Sequence, residues 1–157
     1  MEDTDWEKQI DEMVDQNLKV QYDVYDSENG LEYLDSSAPP LVENHDYVVR
    51  VKVTNEGTEV LFSRVQLKVI AKSNVTFYTR KNYYHPTGIS YGSPISRIHV
   101  TKNNLLPQGT EDWWIPFRVS GTIQNNPLIS VGLYATVVPE GHHWMSFNWP
   151  DDRFTGK

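Results

Sequence analysis

The chain has 157 residues, a formal net charge of −7 and no cysteine. That length suits one domain able to bury roughly 70% of its unfolded surface, and the missing thiols exclude disulfides, thiolate metal sites and a cysteine nucleophile. No run approaches the roughly 18 consecutive apolar residues of a membrane-spanning helix, and the opening MEDTDWEKQI has neither the basic nor the apolar stretch of a signal peptide.

The N-terminal segment, residues 1–17, predicts a helix. Thr4 and Glu7 fit a capping box. Trp6, Ile10, Met13 and Val14 then recur at helical spacing over about residues 5–16, with acidic residues crowding the first turns where the helix dipole favours them. The apolar stripe is narrow, and docking on the body of the protein is its expected use. Through Asp46 the chain holds 14 acidic and two basic residues; beyond it, seven acidic and 12 basic. Such a split marks either an interaction arm or two solvated surfaces that attract each other.

From Leu18 onward the pattern changes to period two. Leu18, Val20, Tyr22 and Val24 alternate with polar neighbours, Asn29-Gly30 signals a hairpin turn, and residues 31–34 return as a short strand. Residues 48–71 contain two alternating runs around Asn55-Glu56-Gly57-Thr58. Tyr47, Val49, Val51 and Val53 share one face of the first; Val65, Leu67, Val69 and Ala71 share one face of the second. The expectation is a central hairpin. Its outer face would carry a basic stripe, Arg50, Lys52, Arg64 and Lys68, as cross-strand neighbours. Facing like charges destabilise a sheet unless neutralised, here by the acidic N-terminal segment or by an acidic partner.

A short strand follows around Val75 and Phe77. Residues 80–94 (RKNYYHPTGISYGSP) show no sustained period and predict a long surface loop of a length that is often functional. Residues 95–101 predict a strand, and Leu106-Pro107-Gln108-Gly109 a corner. Trp113, Ile115, Phe117 and Val119 then share a face, while Pro116, lacking a donor, predicts an edge strand or a bulge. Residues 121–127 predict a loop. Ile129, Val131, Leu133, Ala135 and Val137 form the clearest core strand of the C-terminal half. Pro139-Glu140-Gly141 predicts a turn, His143, Met145, Phe147 and Trp149 a last strand, and residues 150–157 a tail. About eight short strands with one helix indicate a mainly β protein, an antiparallel Ig-like β-sandwich spanning residues 18–149.

One pattern resembles a known family. The run YVVRVKVTNEGT at residues 47–58, the strand at residues 65–69, and Leu106-Pro107-Gln108-Gly109-Thr110 before a later strand resemble CARDB-type and related prokaryotic Ig-like modules. In those, a strand ends in an Asn-x-Gly turn and a Pro-x-Gly corner precedes a later strand. The resemblance covers residues 45–138. It implies a non-catalytic adhesion or scaffolding module, often at the cell surface. The acidic N-terminal helix, the loop at residues 80–94 and the aromatic C-terminus depart from the pattern, and no site residue carries over.

The catalytic motifs are missing. There is no G-x-S-x-G elbow, P-loop or G-x-G-x-x-G. His45, His85 and His99 show no ligand spacing, and adjacent His142 and His143 would face opposite ways on a strand, so no metal or cofactor is expected. The aromatics are more informative. Arg80, Lys81, Tyr83, Tyr84 and Tyr91 in the long loop, with an outward Trp114, form a candidate partner-binding set, because rings beside cations anchor protein hot spots or stack on sugars. One or two of these tyrosines tucking under the loop to hold it is the structural reading. The sequence thus favours a non-enzymatic interaction or assembly module acting on a protein partner or on itself, as a surface, virion-type or envelope-associated component. A glycan is the second ligand class considered; nucleic acid is disfavoured by the overall acidity and the lack of a recognition motif.

Overall fold

The computed structural model describes residues 2–35, 37–121, 128–137, 145–149 and 154–156. The expected architecture forms: two sheets face each other across one core, with a single helix. The larger sheet contains β1 (Leu18–Asp26), β3 (Tyr47–Asn55), β5 (Val75–Tyr78), β6 (Pro94–Ile95), β8 (Thr110–Val119) and β11 (Phe154–Gly156), in the order β11-β1-β3-β8-β5-β6, with β2 (Glu32–Leu34) also on β1. The smaller sheet contains β4 (Phe62–Ala71), β7 (Arg97–Leu105), β9 (Ile129–Val137) and β10 (Met145–Trp149), in the order β10-β9-β4-β7. All pairs but one are antiparallel. Residues 154–156, expected in a tail, instead run parallel to β1 beside Val20 to Tyr22, along the stretch of its edge that β2 leaves free.

The alternation in the sequence becomes the core. Val49, Val51, Val53, Trp113, Ile115 and Phe117 of the larger sheet are buried against Val65, Leu67, Val69, Val131, Leu133 and Ala135 of the smaller one. Each Val, Leu, Ile or Phe among them contributes about 1.5–3 kcal/mol by leaving water. A bulge between Phe62 and Arg64 lets Phe62 and Val65 both point inward despite their odd spacing.

The central hairpin does not form. β3 pairs with β1 and β8, whereas β4 pairs with β7 and β9. The chain between them crosses from one sheet to the other, and the two apolar faces meet across the core. Asn55 holds this arch. Its fully buried side chain donates to the carbonyls of Val60 (2.7 Å) and Leu105 (3.2 Å) and accepts from the Gly57 amide (3.0 Å). The two turn motifs also bind each other: the Asn55 amide donates to Gly109 O, and the Gln108 amide to Gly57 O. A side chain at Gly57 would collide with the Asn17 carboxamide. A two-residue hairpin turn has no need of such fastening.

The helix α1 (Glu2–Asn17) runs directly into β1 and docks as expected, with Val14 fully buried and Met13 against the core. It lies along β1 and β10, and the Glu56 amide donates to Asn17 O at 2.7 Å. The side chains of the Thr4–Glu7 capping box, of Trp6 and of Ile10 lie outside the described residues, as do residues 139–144. Pro116 does not mark an edge: β8 runs inside the sheet, with β3 along most of its length. Amide directions alternate along a strand, and the Trp114 amide points away from β3, to Tyr83 O. The Pro116 nitrogen faces that same side, where the ladder with β5 stops at Phe117, so no donor is missed.

Candidate functional site

The long loop is fastened to the larger sheet. At its neck the Thr79 amide donates to Ser93 O, and the Gly92 amide to Thr79 O. A Cβ on Gly92 would lie 2.7 Å from Thr79 O, so only glycine allows this approach. Tyr91 then folds over the sheet's outer face. Its hydroxyl donates to Tyr47 O at 2.7 Å, and its ring meets Tyr78 at 5.6 Å and the Arg118 guanidinium at 4.7 Å. Burial pushes its pKa up to about 12. Arg118 is held in turn by Asp46 at 2.6 Å.

The other loop residues divide. Arg80 donates to Trp114 O (3.0 Å) and Thr87 O (3.2 Å). Tyr83 packs against the core, with its hydroxyl 3.4 Å from the Arg80 amide. Tyr84 remains 45% exposed while its ring leans toward Trp113 at 6.3 Å. Lys81 is exposed. Trp114 points outward as expected but is only 9% exposed, covered by Tyr25 at 5.1 Å and Arg50 at 5.2 Å. The loop therefore brings Arg80, Tyr83 and Trp114 together as a seal and leaves Tyr84 and Lys81 outside it. Three of the four rings proposed as a platform are used to hold the fold.

Strand register shows why this face is apolar. Tyr33, Tyr25, Val48 and Pro116 stand in one row across four strands. Val48, on the face predicted to be wet, is fully buried. The row ends in the open at Tyr33, 45% exposed and 5.6 Å from Tyr25. Neither loop burial nor this row has a local signal in the sequence, since the partners come from distant strands.

The basic stripe is split between the two sides of the sandwich. Arg50 and Lys52 stand on the outer face of the larger sheet, where Arg50 pairs with Asp112 at 2.7 Å. Arg64 and Lys68 stand on the outer face of the smaller sheet, because β4 belongs to that sheet. The predicted like-charge repulsion between them therefore does not exist. Instead Arg64 and Lys68 face Asn103 and His99 of β7, and Arg97 stands opposite Ile70. The four strands β4, β7, β9 and β10 contain no aspartate or glutamate. Arg64, Arg97 and His99 are exposed and Lys68 half-buried, and none of the four has an ion-pair partner among the described residues. Lys102, on the same sheet but turned inward, reaches Glu111 at 3.7 Å.

The structure also joins residues with no spacing signal. Buried Asp26 accepts hydrogen bonds from His45 Nε2 (2.7 Å), the Asn29 carboxamide (2.7 Å) and the Glu28 amide (3.0 Å), while His45 Nδ1 lies 3.5 Å from Glu28. Burial alone would raise the Asp26 pKa, but these hydrogen bonds and the His45 charge outweigh it and the pKa is lowered. The cluster fastens the β1–β2 turn to the segment before β3. Among the described residues no group of three or more His, Asp or Glu is arranged to hold a metal, and His142 and His143 lie outside them. No helix among them is long and apolar enough to cross a membrane.

No protein-family model matches the chain, and no curated protein matches it. Among solved structures it is similar to a DUF4466 family protein from Parabacteroides merdae, at 9% identity over 87% of this chain and 45% of that one, with a TM-score of 0.24. The chain thus spans less than half the length of that protein, and a likeness at this level bears on neither fold nor function.

Proposed function

We propose that the chain is a non-enzymatic β-sandwich module for protein interaction or assembly, in the manner of the CARDB-type Ig-like modules its turn motifs resemble, within a surface, virion-type or envelope-associated structure. The observation that carries this reading is the outer face of the smaller sheet: a strand surface with Arg64, Lys68 and Arg97 unpaired among the described residues and no acidic residue in any of its strands. Charges of one sign left unneutralised on a regular surface suit a partner of the opposite sign, for which they supply steering and register.

A second reading, carbohydrate binding, is favoured by the exposed ring of Tyr33 beside Tyr25. One comparison separates the two. The wild type, an Arg64→Glu/Lys68→Glu variant and a Lys52→Glu control are tested against immobilised chain, a polyglutamate peptide, duplex DNA and a glycan array. The interaction reading expects binding to polyglutamate or to the immobilised chain that is lost in the double variant and kept in the control, and no preference for DNA. Equal behaviour of both variants overturns it. Saturable glycan signal that is lost on Tyr33→Ala favours the second reading.

A further inference from the structure

Resting on the interaction reading, we propose that the cationic outer face of the smaller sheet receives a second copy of this chain, which presents the acidic end where β1, β2 and the start of β3 meet. The chain itself carries the complementary surface. Residues 20–49 contain no lysine or arginine and seven acidic residues. Of those seven, Asp46 is paired with Arg118, and Asp26 and Glu28 both face the His45 ring. Glu32, Asp35 and Glu43 are exposed, and no ion pair holds them among the described residues. The same end exposes two of the four large hydrophobic side chains open to water among the described residues, Tyr33 at 45% and Val42 at 46%. A ring and a branched aliphatic side chain among carboxylates give the apolar anchor and charged rim of a protein contact.

The contact must form between molecules. The acidic end is tied to the larger sheet: the Ser27 amide donates to Asp46 O, and the Val42 amide to the Tyr47 hydroxyl at 3.0 Å. The cationic face points away from that sheet, on the opposite side of the sandwich, so the acidic end cannot fold back onto it. Among the described residues no helix carboxylate pairs with Arg64, Lys68 or Arg97. Two different patches meeting in this way make a heterologous contact, which repeats head to tail into a ring or an open filament.

Sedimentation velocity on the full chain tests the proposal. The wild type is expected to show mass increasing with concentration at roughly 20 mM salt and to dissociate at about 0.5 M, where the screening length falls to a few ångströms. Arg64→Glu/Lys68→Glu weakens association by about tenfold or more, and so does Glu32→Lys/Asp35→Lys/Glu43→Lys. Mixing the two charge-swapped variants restores association, which loss of folding in either would not allow. A wild type that stays monomeric at low salt, or a mixture that fails to recover, overturns the proposal. If the monomeric wild type still binds polyglutamate through Arg64 and Lys68, only the self-contact falls, whereas binding to DNA in its place overturns the protein-interaction reading as well. If it binds neither, the interaction face falls with it.

Discussion

The outer faces of the two sheets begin from the same strand alternation and end as opposite kinds of surface. On the larger sheet, Trp114, Val48 and Tyr91 are covered by loop, neighbouring ring and guanidinium, and Arg50 and Arg118 are each paired with a carboxylate. On the smaller sheet the outward cations of β4 and β7 have no carboxylate partner among the described residues. Outward position alone therefore does not identify a binding surface. What distinguishes the faces is whether the chain supplies its own partners for the outward groups: on the larger sheet Asp112, Asp46, Tyr25 and the loop at residues 80–94 do so, and on the smaller sheet no described carboxylate does.

If this contrast holds, substitutions on the covered face destabilise the protein measurably, and those on the open face barely change its stability. Trp114→Ala should cost about 3 kcal/mol, since it empties a buried indole site and strips Arg50 of its ring; urea denaturation measures it. A loss under about 0.5 kcal/mol would show the indole to be a free platform after all. Asp26→Asn should cost about 2 kcal/mol at neutral pH, because the carboxylate accepts several hydrogen bonds, one of them from His45. Since the folded pKa lies below the ordinary aspartate value of 3.8, that contribution is present above this value and is lost as pH falls through the folded pKa. Urea curves for wild type and variant should therefore converge toward low pH.

Tyr91→Phe should cost about 1 kcal/mol through the lost bond to Tyr47 O. With its pKa raised from 10.0 to about 12, the wild-type phenol contributes stability that is intact below pH 10 and declines as pH rises toward 12. The variant should lack that alkaline decline, and ultraviolet titration should show one late-ionising tyrosine fewer. The smallest effect on stability belongs to Arg64→Glu/Lys68→Glu on the open face, within about 0.5 kcal/mol by thermal melting, even as binding is lost.

The sandwich was legible because period two is local: Val49, Val51 and Val53, or Ile129 through Val137, state their burial in a few consecutive residues. The pairing of β3 with β4 was misread for the same reason. Proximity in sequence suggested a hairpin, and nothing between residues 55 and 62 reveals that Asn55 spends its side chain on Val60 and Leu105. The site followed suit. Arg64 and Lys68 were visible as outward cations, but their separation from Arg50 and Lys52, and their company with Arg97 and His99, depend on strand order. The tyrosines of the long loop were visible as a cluster. That Tyr91 and Tyr83 turn inward depends on a sheet assembled from residues up to 44 positions away.

The arch at Asn55 also bears on how quickly the protein reaches its native state. With β3 and β4 in separate sheets, neither of these strands pairs with its neighbour in sequence. Tyr47 must find Phe117, and Ala71 must find Ile129. Closing such large loops before any contact rewards them places the chain among slow folders, on the order of milliseconds to seconds.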